Sequence, residues 1–291
     1  MPLVLFAYHP GATVPLEWTW DPLPLVTLAT SALAYGFGLW RTWSHAGVGR
    51  GVTRAQACCF GAGLLVLALA LISPLDRLSD SLFSAHMSQH ELLMVGAAPL
   101  MVLGRPLMAY LWVLPQRRRS ALGAWLQRPS VRASWQFVSA PLMVLVLHAF
   151  VRWIWHLPSL FEAAMRHEAL HAVQHVSFFL TAALFWWALI HGRYGKAGYG
   201  LGVLFVFATA LHTSVLGALI SVAPRLLYPI YLSRTQAAGW QPLEDQELAG
   251  LIMWVPSGAV LSICGLALFA AWLGEAERRA RRAEAAARSS S

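Results

Sequence analysis

Residues 200–222 read GLGVLFVFATALHTSVLGALISV, with no Asp, Glu, Lys or Arg, and a helix that crosses a bilayer needs about 20 predominantly apolar residues. A window of about 19 residues finds six further runs of this kind, near 24–43, 55–73, 83–103, 136–155, 168–191 and 247–273. The 291-residue chain is 58% hydrophobic and 12% charged, with a mean hydropathy of +0.56. An ordinary soluble domain is roughly a quarter charged. A soluble globular domain, a disordered chain and a collagen-like fibre are therefore excluded. The expected fold class is all-α: a polytopic membrane protein built as a seven-transmembrane-helix bundle. Cys58, Cys59 and Cys264 each sit inside an apolar run without CxxC spacing, so they read as small core hydrophobes and imply no disulfide framework.

Lys and Arg are retained on the cytoplasmic side of a membrane. Connection 1–2 is flanked by Arg41, Arg50 and Arg54. Connection 3–4 holds Arg105, Arg117, Arg118, Arg119, Arg128 and Arg132, connection 5–6 holds Arg193 and Lys196, and the tail holds Arg278, Arg279, Arg281, Arg282 and Arg288. Glu17, Asp21, Asp76, Asp80, Glu162, Glu168, Glu244, Asp245 and Glu247 gather on the opposite side. This sorting predicts an N-terminus outside and a C-terminus in the cytoplasm. The expected divisions are an outer, periplasmic N-terminal segment (1–23), the membrane domain (24–273) and a basic cytoplasmic tail (274–291), read as a frayed helix. The opening stretch has no basic residue and is broken by Pro10 and Pro15, so it does not read as a cleaved signal peptide.

The net charge of +8 and pI near 10 are explained by basic clusters that set topology and contact anionic membrane lipid. No Gly-rich phosphate loop competes, and no nucleic-acid partner is expected. Connection 3–4 mixes apolar residues with arginines, as an interfacial helix would. Connection 6–7, rich in Tyr, Pro and Trp, could cap the outer face.

The eleven histidines are informative through their depth. At 1.5 Å per residue, His90, His148 and His175 lie about 10 Å below the outer edge and His212 about 15 Å, so four helices place imidazoles in one band. His86, Met87, His90 and Met94 share one face of the third run, and His167, His171 and His175 follow at steps of four on the fifth. His156 lies just beyond the fourth run. A single imidazole in a membrane helix can be satisfied by a hydroxyl or carbonyl of a neighbouring helix. Several in one band argue for a site, because polar groups in lipid face the bundle interior or a functional cavity. Imidazole with thioether suits copper, particularly Cu(I). Paired imidazoles would equally suit the axial positions of a haem iron.

Met at helical spacing is more often core filler than ligand; Met253, near the start of the last run, could reach the same band. Glu91 is the only acid inside a run, turned about 100° from His90, and could orient a ligand, carry a proton or stay protonated in the bundle. Asp245 and Gln246 precede the last run, where a capping role is expected. His9, His45 and His191 lie in a tail, an inner loop and an inner helix end, and are assigned no role.

Four segments carry a resemblance: HMSQHELLMVGAAPLMVLGRP (86–106), WHLPSLFEAAMRHEALHAVQHVSFFLTAALFWW (155–187), LHTSVLGALISVAPRLLYPIY (211–231) and PLEDQELAGLIMWVPSG (242–258). In this order they resemble the successive blocks of the seven-helix CtaG family, cytochrome c oxidase assembly factors of bacterial membranes. The resemblance covers about residues 20–273. It implies a non-enzymatic protein of the bacterial inner membrane that helps to mature a haem–copper oxidase at the step of copper supply, with cytochrome c oxidase subunits as partners. His86 and His90 match the family's first histidine pair, His171 and His175 the pair of the fifth helix, and His212 the histidine of the sixth. The family commonly has an acid where this chain has Gln174, and an apolar residue where it has Glu91.

The expected metal ligands are thus His86, His90, His171, His175 and His212, with Met94, His148, His156, His167, Glu91 and Met253 as auxiliaries. The alternatives are a haem-binding electron carrier using the same histidines and a metal-free scaffold that docks the oxidase. Transport across the membrane would need polar groups continuing inward, of which few are found beyond Thr181 and Ser214.

Overall fold

The computed structural model describes residues 17–191 and 198–289. Most of the N-terminal segment with His9, Arg193 and Lys196 of the fifth connection, and the last two residues of the tail lie outside the described residues. Among the described residues every regular element is helical: α1 (Pro22–Ala46), α2 (Arg54–Leu71), α3 (Pro74–Ser81), α4 (Phe83–Leu103), α5 (Pro106–Val113), α6 (Gln116–Leu126), α7 (Pro129–Val138), α8 (Pro141–Trp155), α9 (Pro158–Arg166), α10 (Glu168–His191), α11 (Gly198–Ser221), α12 (Tyr231–Ala237) and α13 (Pro242–Ser289). Proline opens α1, α3, α5, α7, α8, α9 and α13. There its fixed φ suits the first turn, and the missing N–H would have had no helical partner.

Helices α1, α2, α10, α11 and α13 are each long and apolar enough to cross a membrane. Two further candidates are bent pairs, α4 with α5 (60°) and α7 with α8 (57°), so the described chain offers five spans, or seven if each pair counts as one. This is the architecture of a polytopic membrane protein. The apolar side chains of α1, Leu23, Val26, Leu33, Phe37 and Trp40, are exposed, where a bilayer rather than the fold would cover them.

The structure differs from the sequence expectation in three places. The fourth run is broken, because Ala140 precedes Pro141 and is held extended (ψ 137°), the conformation that a following proline ring imposes. Connection 3–4 contains three helices, α5, α6 and α7, rather than one interfacial helix. The basic tail is the continuous end of α13, a helix of 48 residues.

Inside α4 the turn Leu92–Ala97 is a π-helix. In a π turn the carbonyl of Met94 would look to the N–H five residues on, but that residue is Pro99, which has none. The Trp186 indole of α10 donates to the Met94 carbonyl instead, at 2.8 Å. A backbone group that lipid could not solvate is thereby satisfied, and α10 is tied to α4 one turn beyond His90.

Helices α11 and α13 cross where Gly217 meets Gly250. A Cβ on Gly250 would lie 2.6 Å from the Gly217 carbonyl oxygen and 2.6 Å from the Ser221 nitrogen, so only small residues permit this approach. Because backbone rather than a flexible side chain is in the way, Gly250→Leu is expected to separate the two helices and to lose several kcal/mol of stability, within the range for overpacking. A detergent-unfolding titration of the purified variant checks this; an unchanged midpoint would contradict the close crossing.

Candidate metal centre

Helix α4 presents His86 and His90 one turn apart, and α10 presents His171 and His175 likewise. The two helices bring these pairs face to face: ring centroids are 5.2 Å apart for His86 and His171, 6.0 Å for His86 and His175, and 5.2 Å for His90 and His175. His156, at the end of α8, joins from a third direction with its ring 6.3 Å from His90. Nitrogen atoms of His86, His171 and His175 all lie within 4.8 Å of one another.

Burial makes these nitrogens consequential. His86 and His90 are fully buried, and neither ring nitrogen of either residue has a hydrogen-bond partner; Nε2 of His156, His171 and His175 is likewise unpartnered. A buried polar group left without a partner costs about 1–3 kcal/mol, so several in one cluster fit a bound ligand better than plain packing. His156 shows the arrangement most clearly. Its Nδ1 lies 2.6 Å from the Arg152 carbonyl, a bond that puts the proton on Nδ1 and leaves the Nε2 lone pair for a ligand, as metal-binding histidines commonly do. Three imidazole donors without a carboxylate among them suit Cu(I) or another transition ion rather than magnesium or calcium.

Aromatic rings enclose the cluster. Phe161 of α9 packs at 5.2 Å from His86, and Phe178 at 4.8 Å from His90 and 5.8 Å from His156. Behind Phe161 stand Phe83, Tyr228 and Tyr231. Burial pushes both phenols well above their ordinary range, so they remain O–H donors, Tyr228 to the His156 carbonyl at 2.8 Å and Tyr231 to that of Ser79 at 2.9 Å. Connection 6–7 therefore does pack over this end of the bundle. The acids of α3, Asp76 and Asp80, lie within electrostatic reach of His171. Burial, with Asp76 beside it, raises the Asp80 carboxyl above its usual range.

The other expected residues are distributed differently. His212 of α11 stands with His148 of α8, ring centroids 5.6 Å apart, in a second group rather than with the four. His167, the C-cap of α9, is exposed. The sulfur of Met94 accepts from Arg152 at 3.5 Å, and Met253 is buried in the aromatic cluster with its carbonyl taken by Arg152 at 3.3 Å. Gln174 is buried with its amide unpartnered.

Sequence reading missed Arg152. Glu91 forms a buried ion pair with it at 2.6 Å and accepts a further hydrogen bond from the Ser257 hydroxyl, so the acid is held as a charged partner joining α4, α8 and α13. The signal was present: Arg152 lies inside the fourth apolar run, and an intramembrane charge is expected to find its opposite.

Asp245 also acts elsewhere than expected. Helix α13 already begins at Pro242, and the Asp245 carboxylate accepts from the backbone N–H of Phe83 (2.7 Å) and Ser84 (3.1 Å). It thus caps α4, the helix that carries His86 and His90, and favours its positive end. Gln246 likewise accepts from Leu227 N–H at 2.7 Å and pins connection 6–7. Asp245→Ala is expected to cost about 1–2 kcal/mol, the worth of a helix cap, while Asp245→Asn should lose less; thermal unfolding of the two variants side by side checks the order.

Relatives of the chain include an uncharacterized protein of Mycobacterium leprae, 26% identical over 283 residues that cover 90% of this chain and 40% of that protein. Another, of Mycobacterium bovis, is 25% identical over 280 residues, 93% of this chain and 42% of the other. The chain thus spans about two fifths of the length of the curated relatives it matches. No solved structure matches it. The family described as cytochrome c oxidase caa3 assembly factor (Caa3_CtaG) matches residues 33–275, and the chain belongs to that family.

Proposed function

We propose that this protein is a seven-span assembly factor of the bacterial inner membrane, N-terminus outside, that holds copper on His86, His171 and His175 and delivers it to a subunit of cytochrome c oxidase. His90 and His156 complete the pocket wall. The observation that carries the reading is the triad of imidazole nitrogens within 4.8 Å, buried between two helices and largely unpartnered. Family membership supplies the oxidase as the destination. The acids of α3 and the aromatic cover lie at the same end of the bundle as the triad, on the side opposite the arginine-rich connections, which suits delivery at the outer face. Copper is cargo here, and the residues' task is to bind it, to keep it from water and to release it to a partner.

Haem held by the same histidines is the second reading. Against it, α4 and α10 are in direct contact, tied by the Trp186 hydrogen bond, and a porphyrin would have to part them. The test is made in cells that lack the endogenous factor: wild-type protein should restore copper content and activity of the oxidase, and the His86→Ala/His175→Ala variant should restore neither while still accumulating in the membrane. Full restoration by that variant would favour the metal-free scaffold.

A further inference from the structure

Helix α8 carries His148, Arg152 and His156 at steps of four, on one face. His156 belongs to the triad's pocket, whereas His148, about 12 Å away along the helix axis, faces His212 of α11 at a ring distance of 5.6 Å. Nδ1 of His148 and both ring nitrogens of His212 have no hydrogen-bond partner, and His148 is only 5% exposed. A cavity of about 20 Å³ lies beside His148, lined among others by Met94, Arg152, Thr213 and Ser257. It has room for about one water-sized guest. Met94 lies one turn beyond His90 on α4, and its thioether accepts from Arg152 at 3.5 Å.

We propose that His148 and His212 form a second site, for a soft monovalent cation, distinct from the His86, His171 and His175 triad. Two imidazoles binding a single ion end-on, each nitrogen about 2 Å from it, would place their ring centroids about 6 Å apart, close to the spacing observed. The surroundings select the charge. Arg152 is neutralised by its ion pair with Glu91, so the neighbourhood carries no net charge, and neither ligand is an anion. A single positive charge on a polarisable ion is tolerated there. A divalent ion would find no anionic ligand to offset its desolvation, and soft donors with low coordination favour Cu(I). The proposal adds a second resting place to the copper reading, and it stands or falls separately from the triad.

The test uses the full chain in detergent, titrated anaerobically with Ag(I), a redox-inert analogue of Cu(I), then desalted and analysed for metal. With Cys58, Cys59 and Cys264 replaced by Ser throughout, so that no free thiol takes up Ag(I), the chain with all its histidines, called wild type here, is expected to retain two ions. His148→Gln/His212→Gln should retain one, and His86→Ala/His171→Ala/His175→Ala should retain one. Copper(I) loaded into the latter should give the X-ray absorption edge of a two-coordinate nitrogen site. A single wild-type ion that the His148/His212 variant keeps and the triple variant loses would overturn this proposal and leave the triad standing. A single ion with the opposite pattern would overturn the triad and uphold the pair. Should the triple variant not fold, the loss of one ion between wild type and His148→Gln/His212→Gln still decides the matter, and equal retention by the two would overturn the site.

Discussion

Glu91→Ala is expected to destabilise the protein by about 3–5 kcal/mol, the cost of leaving one member of a buried ion pair without its partner. Arg152 is 2% exposed and has three contacts in the interior: the Glu91 carboxylate, the Met94 sulfur and the Met253 carbonyl. Removing the carboxylate takes away the one acid paired with it among the described residues, in a setting where water cannot follow. Arg152→Ala should cost a similar amount by stranding Glu91, which would keep only Ser257. The double variant Glu91→Leu/Arg152→Met should behave differently, because exchanging a whole buried pair for apolar side chains of similar volume is often neutral or stabilising. Unfolding of the three variants in a denaturing detergent, followed by tryptophan fluorescence, completes the cycle. Two costly single substitutions and a near-neutral double one are the expected pattern. Additive losses would mean that the residues act independently.

The second large effect concerns the triad. His86→Ala/His175→Ala removes one donor from each of the two helices that form the centre, leaving His171 as its remaining triad nitrogen. The Cu(I) affinity of that centre is expected to fall at least 100-fold, more than the 10–100-fold cost typical of disturbing only the groups that orient a ligand. His167→Ala, at an exposed position outside the cluster, is the matched control and should leave affinity within about twofold. Competition against a Cu(I)-selective chelator measures both. Because both ring nitrogens of buried His86 and Nε2 of half-buried His175 have no hydrogen-bond partner to lose, the double variant should be no less stable than wild type without metal. That outcome separates loss of ligand from loss of fold.

The apolar runs and the family blocks made the helices legible in sequence. Helical spacing, with depth, brought His86, His90, His171 and His175 into one band, and the structure places their rings within a few ångström of one another. The same argument could not separate His212 from them. Depth counted from span ends read off the sequence is uncertain by a turn or two, and His212 stands with His148, about 12 Å along α8 from the triad's pocket; that partner depends on which helices touch. Asp245 was placed on the right end of the bundle but on the wrong helix, because a carboxylate in a first turn reads as a cap for its own backbone until another helix N-terminus is known to be adjacent. The π turn of α4 was not legible in the sequence, and the Met94 carbonyl that Pro99 leaves without a helical partner is satisfied by Trp186, 92 positions away. Arg152 was the avoidable miss, since a lone acid in an apolar run already asks for a base at matching depth.

The most direct test of the account is Cu(I) loading of the purified full chain, with elemental analysis after desalting and a visible spectrum of the same sample, for wild type beside His86→Ala/His171→Ala/His175→Ala. The account predicts retained copper in wild type, one ion fewer per chain in the triple variant and no Soret band in either. Copper retention unchanged by the triple substitution, or a Soret band in the wild-type protein, would contradict it.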